Sequence, residues 1–135
     1  MDKYHSLSMA IYDIFASAKW VGYSIDTFPS NFVTPDGLTK YIRVHVIPNG
    51  SNTVSFPKSA SGVIIIDIFT KYGKGTEDTF GIADLLDTVL AGKSIKITGG
   101  NLQTSVSSLT LPVKDSDTPS LAKAKYTVSF NYYGE

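Results

Sequence analysis

The stretch from Gly62 to Leu90 constrains the chain most, because a strand pattern gives way to a helix pattern within a few residues. Gly62-Val63-Ile64-Ile65-Ile66-Asp67-Ile68-Phe69 is a run of β-branched and aromatic residues, too short and too β-rich for a good helix, and predicts a buried strand. Tyr72-Gly73-Lys74-Gly75 breaks that run. Thr76-Glu77-Asp78 then offers a hydroxyl cap and two acids where a helix dipole favours negative charge. Phe80, Ala83, Leu86 and Val89 or Leu90, with Ile82 and Leu85 beside them, form an apolar stripe at the helical period, and Gly92 is a stop signal. Strand and helix can bury their apolar faces against each other. Nothing in the stretch is catalytic, so function is expected to rest on assembly.

The flanking sequence extends this unit in both directions. Leu7, Ile11, Ile14, Phe15 and Ala18 follow helical spacing, predicting a helix from about Lys3 to Ala18 behind an Asp2 cap. Trp20 to Asp26 is expected as a short strand, and Phe28 to Gly37 as a proline-fixed surface turn. Tyr41 to Ile47 alternates, with Ile42, Val44 and Val46 on one side and Tyr41, Arg43 and His45 on a wet side. The polar segment from Pro48 to Gly62 should link two paired strands as a long hairpin loop. Ser94 to Thr98 and Leu102 to Val113 carry further strand signals, separated by Gly99-Gly100. Asp115 to Ser120 is a polar turn. The clearest alternation comes last, with Ala122, Ala124, Tyr126, Val128, Phe130 and Tyr132 set against Lys123, Lys125, Thr127, Ser129, Asn131 and Tyr133.

Hairpin-length links favour antiparallel pairing, so the expectation is one α+β domain over 1–135. Its sheet is antiparallel, mixed at most, with about four to six strands and two helices packed on one face. A chain of 135 residues that is 42% hydrophobic can support one such core unaided.

Composition and motifs mostly exclude chemistry. Twelve basic and twelve acidic residues balance to no net charge, against the basic excess of a dedicated nucleic-acid binder. Without cysteine there is no disulfide frame, thiolate metal site or thiol nucleophile. No leader pattern or long apolar run is present, so the expectation is a soluble protein of the producing cell's cytoplasm that engages no membrane.

Gly92-Lys93-Ser94 lacks the upstream glycine of a phosphate loop, since Asp87 stands there, and it follows a helix where a strand is needed. Tyr72 to Gly75 lacks dinucleotide-fingerprint spacing. His5 and His45 stand on separate elements and read as surface histidines. Asp84 and Asp87 read as a solvated helix face, and Asp115 and Asp117 as turn residues. Asp67 inside an apolar strand is expected on its wet side, with an interface salt bridge as the lesser alternative. There is no Gly-x-Ser-x-Gly elbow, so no enzyme and no cofactor or metal site are expected. What remains is surface: Phe28, Phe32, Tyr41, Phe56, Tyr72 and Tyr133 fall in turns or on polar strand faces and favour an oligomer.

Three pieces of the sequence resemble the tail terminator or tail-completion proteins of long-tailed bacteriophages. Asn31-Phe32-Val33-Thr34-Pro35-Asp36-Gly37 is similar to a family turn, in loosened form. Lys40-Tyr41-Ile42-Arg43-Val44-His45-Val46-Ile47-Pro48 is similar to a family strand, and Gly62 to Leu90 to the family's strand, glycine turn and helix. The resemblance fades after Gly99. It implies a virion structural protein of the tail or neck, assembled in the host cytoplasm as a homo-oligomeric ring of about six subunits. Such a ring caps the tail-tube protein, ends its polymerisation and presents a surface to head-tail connector proteins, while genome DNA passes through without sequence-specific binding. The Pro48 to Gly62 loop, with Phe56 and Lys58, is then the expected contact with tube or neighbour. Arg43 and His45 are candidates for subunit contact or channel lining, Asp67 for an interface ion pair, and Lys71 and Lys74 for weaker contacts. A head-side neck adaptor and a monomeric ligand-binding α+β domain are the rival readings.

Overall fold

A computed structural model describes residues 3–50, 59–97 and 100–134. In chain order the elements are α1 (Lys3–Ala16), α2 (Ala18–Val21), β1 (Asp26–Pro29), β2 (Tyr41–Gly50), β3 (Ser59–Lys71), α3 (Glu77–Val89), β4 (Ser94–Ile97), β5 (Gly100–Leu109), β6 (Val113–Lys114) and β7 (Leu121–Gly134). The class is α+β, but the sheet is larger than the sequence suggests. Seven strands form one mixed, strongly curled sheet in the order β1-β2-β3-β7-β5-β4, with β6 also on β7, and three helices accompany it. The extra strands are short ones that periodicity does not detect. β1 pairs parallel to β2, and its Pro29 is tolerated because β1 lies at the sheet edge.

The centre of the sheet is built from its two longest antiparallel strands. β3 runs against β7 from Ser59↔Tyr133 to Lys71↔Leu121 without a register shift, and β2 flanks β3 from Tyr41↔Phe69 onward. Because side chains alternate, this register puts Ile42, Val44, Ile64, Ile66, Ile68, Ala124, Tyr126, Val128 and Phe130 on one face, where all are buried. Leu7, Ile11 and Phe15 of α1 and Ile82, Ala83, Leu86 and Val89 of α3 complete the same core. Gly62 is required by contact: a Cβ there would lie 2.2 Å from the Ile47 carbonyl oxygen, beside the bulge in β2 between Pro48 and Gly50.

Two helical expectations need correction. The first helix stops at Ala16, and Trp20 begins no strand but ends up in the short α2 turn. Ser17 causes the break: its hydroxyl donates to the Ile14 carbonyl and accepts from the Trp20 amide, the local bonding that makes serine a good cap. Trp20 is thereby buried against Phe15 and donates its ring N–H to Thr27 Oγ1 at 2.8 Å. In α3 the buried stripe is Thr79, Ile82, Ala83, Leu86 and Val89, while Phe80 points outward and is 42% exposed. Thr76 occupies the cap position without a side-chain cap bond.

Candidate functional site

Among the described residues no helix packs on the second face of the sheet, and Arg43, His45 and Asp67 gather there. Directly opposed residues form a row Arg43↔Asp67↔Lys125 across β2, β3 and β7, with His45 and Lys123 diagonal to it. His45 is the hub. Its Nε2 lies 2.9 Å from Asp67 Oδ2 and its Nδ1 2.9 Å from Ser30 Oγ. A carboxylate only accepts, so His45 Nε2–H donates to Asp67, and the ring's other nitrogen shares a hydrogen bond with the Ser30 hydroxyl. Lys123 Nζ approaches the same Asp67 oxygen at 3.8 Å.

Asp67 therefore faces the expected side, yet it is only 7% exposed. Its charge is held by His45 and Lys123 rather than by water. Arg43, directly opposite, sends its guanidinium to Thr34 Oγ1 in the loop before β2. As a result Arg43 Nε and Asp67 Oδ1 are each buried without a hydrogen-bond partner, a donor and an acceptor left open on opposed residues. Each such group costs on the order of 1–3 kcal/mol.

At one end the face is not wet at all. Tyr41, expected to be exposed, is 7% exposed and stacks on Phe69 at 4.5 Å, with Leu121 and Phe28 completing a small second cluster. Burial raises the Tyr41 phenol above its ordinary pKa, against the lowering influence of Arg43. Phe28 stacks on Phe32, which ties the loop after β1 to this cluster. Beyond it two clefts share His45, Asp67 and Lys123. One, of about 350 Å³, is closed by Thr34, Asp115 and Asp117. The other, of about 370 Å³, has Ile47 and Ile65 beside Lys123 and Lys125. Beyond Val44, among the described residues, no strand pairs with the outer edge of β2.

A Ser30–His45–Asp67 chain has the composition and the hydrogen-bond order of a nucleophile relay. The Ser30 amide bonds the Val44 carbonyl at 2.9 Å. The network also ties β2, β3 and the loop carrying Ser30 together. Sequence reasoning missed Lys123 because pairing of β3 with β7 is a register property with no local signal, and Ser30 because it reaches His45 from the loop after β1. Lys71 and Lys74 are exposed and line neither cleft, so they do not join this cluster. Phe56 and Lys58, with the tip of the Pro48 to Gly62 segment, lie outside the described residues. That segment is shorter than its sequence suggests, since β2 runs to Gly50 and β3 starts at Ser59.

The far side of the molecule has its own unspent surface, the outer stripe of α3. Between Glu77 and Val89 the helix carries Glu77, Asp78, Asp84 and Asp87 and no basic residue. Asp87 is engaged, accepting from Tyr126 and Ser107 hydroxyls at 2.6 Å. Glu77, Asp78 and Asp84 are exposed, and among the described residues none forms an ion pair. Gly81 sits between them in mid-helix, where an added Cβ would meet nothing. A glycine there weakens the helix by about 0.5–1 kcal/mol relative to alanine, with no packing reason inside the subunit.

Neither a family model nor a curated protein matches the chain. Four chains of solved structures do. One, known by a serial designation only, is 14% identical, aligned over 90% of this chain and 86% of its own, with a TM-score of 0.65. Identity that low shows a shared fold and nothing further.

Proposed function

We propose that the protein is a virion structural subunit that assembles into a ring on the end of a phage tail tube, ends tube growth and offers the surface to which the head joins. The observation that carries this reading is a sheet face on which, among the described residues, no helix packs and no strand pairs with the edge of β2 beyond Val44, while Ile47 remains 43% exposed and Ile65 half-buried beside lysines. A sheet face and edge of this kind are ordinarily covered by packing or by a neighbouring chain. The resemblance of the Asn31–Gly37 turn, the Lys40–Pro48 strand and the Gly62–Leu90 unit to tail terminators supplies the biological setting. Closed symmetry repeats one modest contact around the ring, which makes the assembly collectively strong.

The test is to polymerise tail-tube protein with and without this protein and image the products by negative stain. Tubes of limited length with a ring at one end are expected. Tubes that grow equally long and carry no terminal ring would overturn the reading.

A further inference from the structure

We propose that the contact between neighbouring copies is head-to-tail, with the outer stripe of α3 from one copy seated in the Ile47–Ile65 cleft on the open sheet face of the next. The inference rests on the ring reading above and names the surfaces that would build it.

The two surfaces match in chemistry. The stripe places Phe80, 42% exposed, between Glu77 one turn before and Asp84 one turn after. The cleft places Ile47 and Ile65 beside Lys123 and Lys125. An aromatic side chain on the two isoleucines removes apolar surface from water, and one flanking carboxylate is directed toward Lys125, which in the register lies next beyond Ile65 and Asp67 and among the described residues forms no ion pair.

Gly81 is an independent sign. It gives the stripe a flat spot beside Phe80 that nothing inside the subunit needs and that close approach of another chain would use. Geometry then fixes the type of assembly. α3 packs on the covered face, so stripe and cleft lie on opposite sides of the sheet. Surfaces that face opposite ways cannot meet reciprocally about one two-fold axis, so the contact is heterologous and generates rings or filaments.

The experiment uses the full chain and reads native mass by light scattering, with circular dichroism melts to confirm that each variant is folded. Phe80→Ala removes the anchor. A helix variant, Glu77→Lys with Asp84→Lys, sets like charges against the cleft, and a sheet variant, Lys123→Gln with Lys125→Glu, removes one positive charge and reverses the other. Each of the three is expected to weaken association by about tenfold or more, as loss of an interface anchor does. Mixing the helix and sheet variants is expected to restore oligomers, because the helix variant's stripe then meets the carboxylate placed at position 125 and the sheet variant's unaltered stripe meets an unaltered cleft. Wild-type oligomers that none of the three variants weakens would overturn the contact, as would folded helix and sheet variants that fail to reassemble when mixed. A wild type that stays monomeric at every concentration overturns both the contact and the ring. Oligomers that obey the charge rules but leave tail tubes uncapped would support the contact and overturn the capping function alone.

Discussion

The two faces of the sheet are made by the same strands, yet they obey different physics. Ile64, Ile66 and Ile68 point into a dry layer under α1 and α3, while Ile65, Asp67 and Phe69, interleaved with them, line the face without helices. On the covered face each residue is fixed by volume and apolar contact. On the open face positions are held by hydrogen bonds and ion pairs centred on Asp67, and apolar groups are left beside lysines. The lesson is that a buried acid does not mark a face as core: Asp67 is as hidden as many core residues, but its neighbours remain accessible for contact.

The widest separation between the faces should appear at consecutive residues. Ile66→Ala, at a fully buried site, is expected to cost about 2–5 kcal/mol in a denaturant melt of the monomeric state. Ile65→Ala next to it should cost only about 1 kcal/mol, the typical single-substitution effect. Equal losses would erase the distinction. Within the open face, Asp67→Ala should cost about 1.5–3 kcal/mol, the range for hydrogen bonds to a charged group, and free His45 and Ser30 from their shared orientation. Nuclear magnetic resonance of the His45 ring reads that release, and an unchanged ring environment would contradict the hub role.

A smaller effect depends on pH and belongs to the covered face. Burial, reinforced by donation to Asp87, raises the Tyr126 phenol above its ordinary pKa of 10.0. The folded protein therefore holds this proton more tightly than the unfolded chain. The resulting stability is fully present below pH 10.0 and is lost progressively as pH rises above it. Melts of Tyr126→Phe against wild type should converge as pH rises above that value; a gap that stays constant would remove the linkage. The smallest effect is of opposite sign: Gly81→Ala should stabilise the monomer by about 0.5–1 kcal/mol, because nothing inside the subunit opposes the methyl group.

The covered face was largely legible from sequence. Strict alternation in Ala122 to Tyr132 and the helical spacing of Ile82, Ala83, Leu86 and Val89 placed them in the core, where they are found. Phe80 was misassigned because a hydrophobic side chain one position off the stripe still fits a wide apolar arc. The open face was legible only in part. Arg43 and His45 could be put on the right side of β2, but the residues gathered around them could not, since Ser30 reaches His45 from a loop 15 residues earlier and Lys123 reaches Asp67 only through the pairing of β3 with β7. Trp20 was misread as the start of a strand because Ser17, which breaks the first helix, acts through two local hydrogen bonds that periodicity does not record.

The most direct test of the account is the native mass of purified wild-type protein across a concentration series, read by light scattering and native mass spectrometry. The account predicts a discrete closed species of about six subunits that forms as concentration rises. A monomer at every concentration, with or without tail-tube protein, would contradict it.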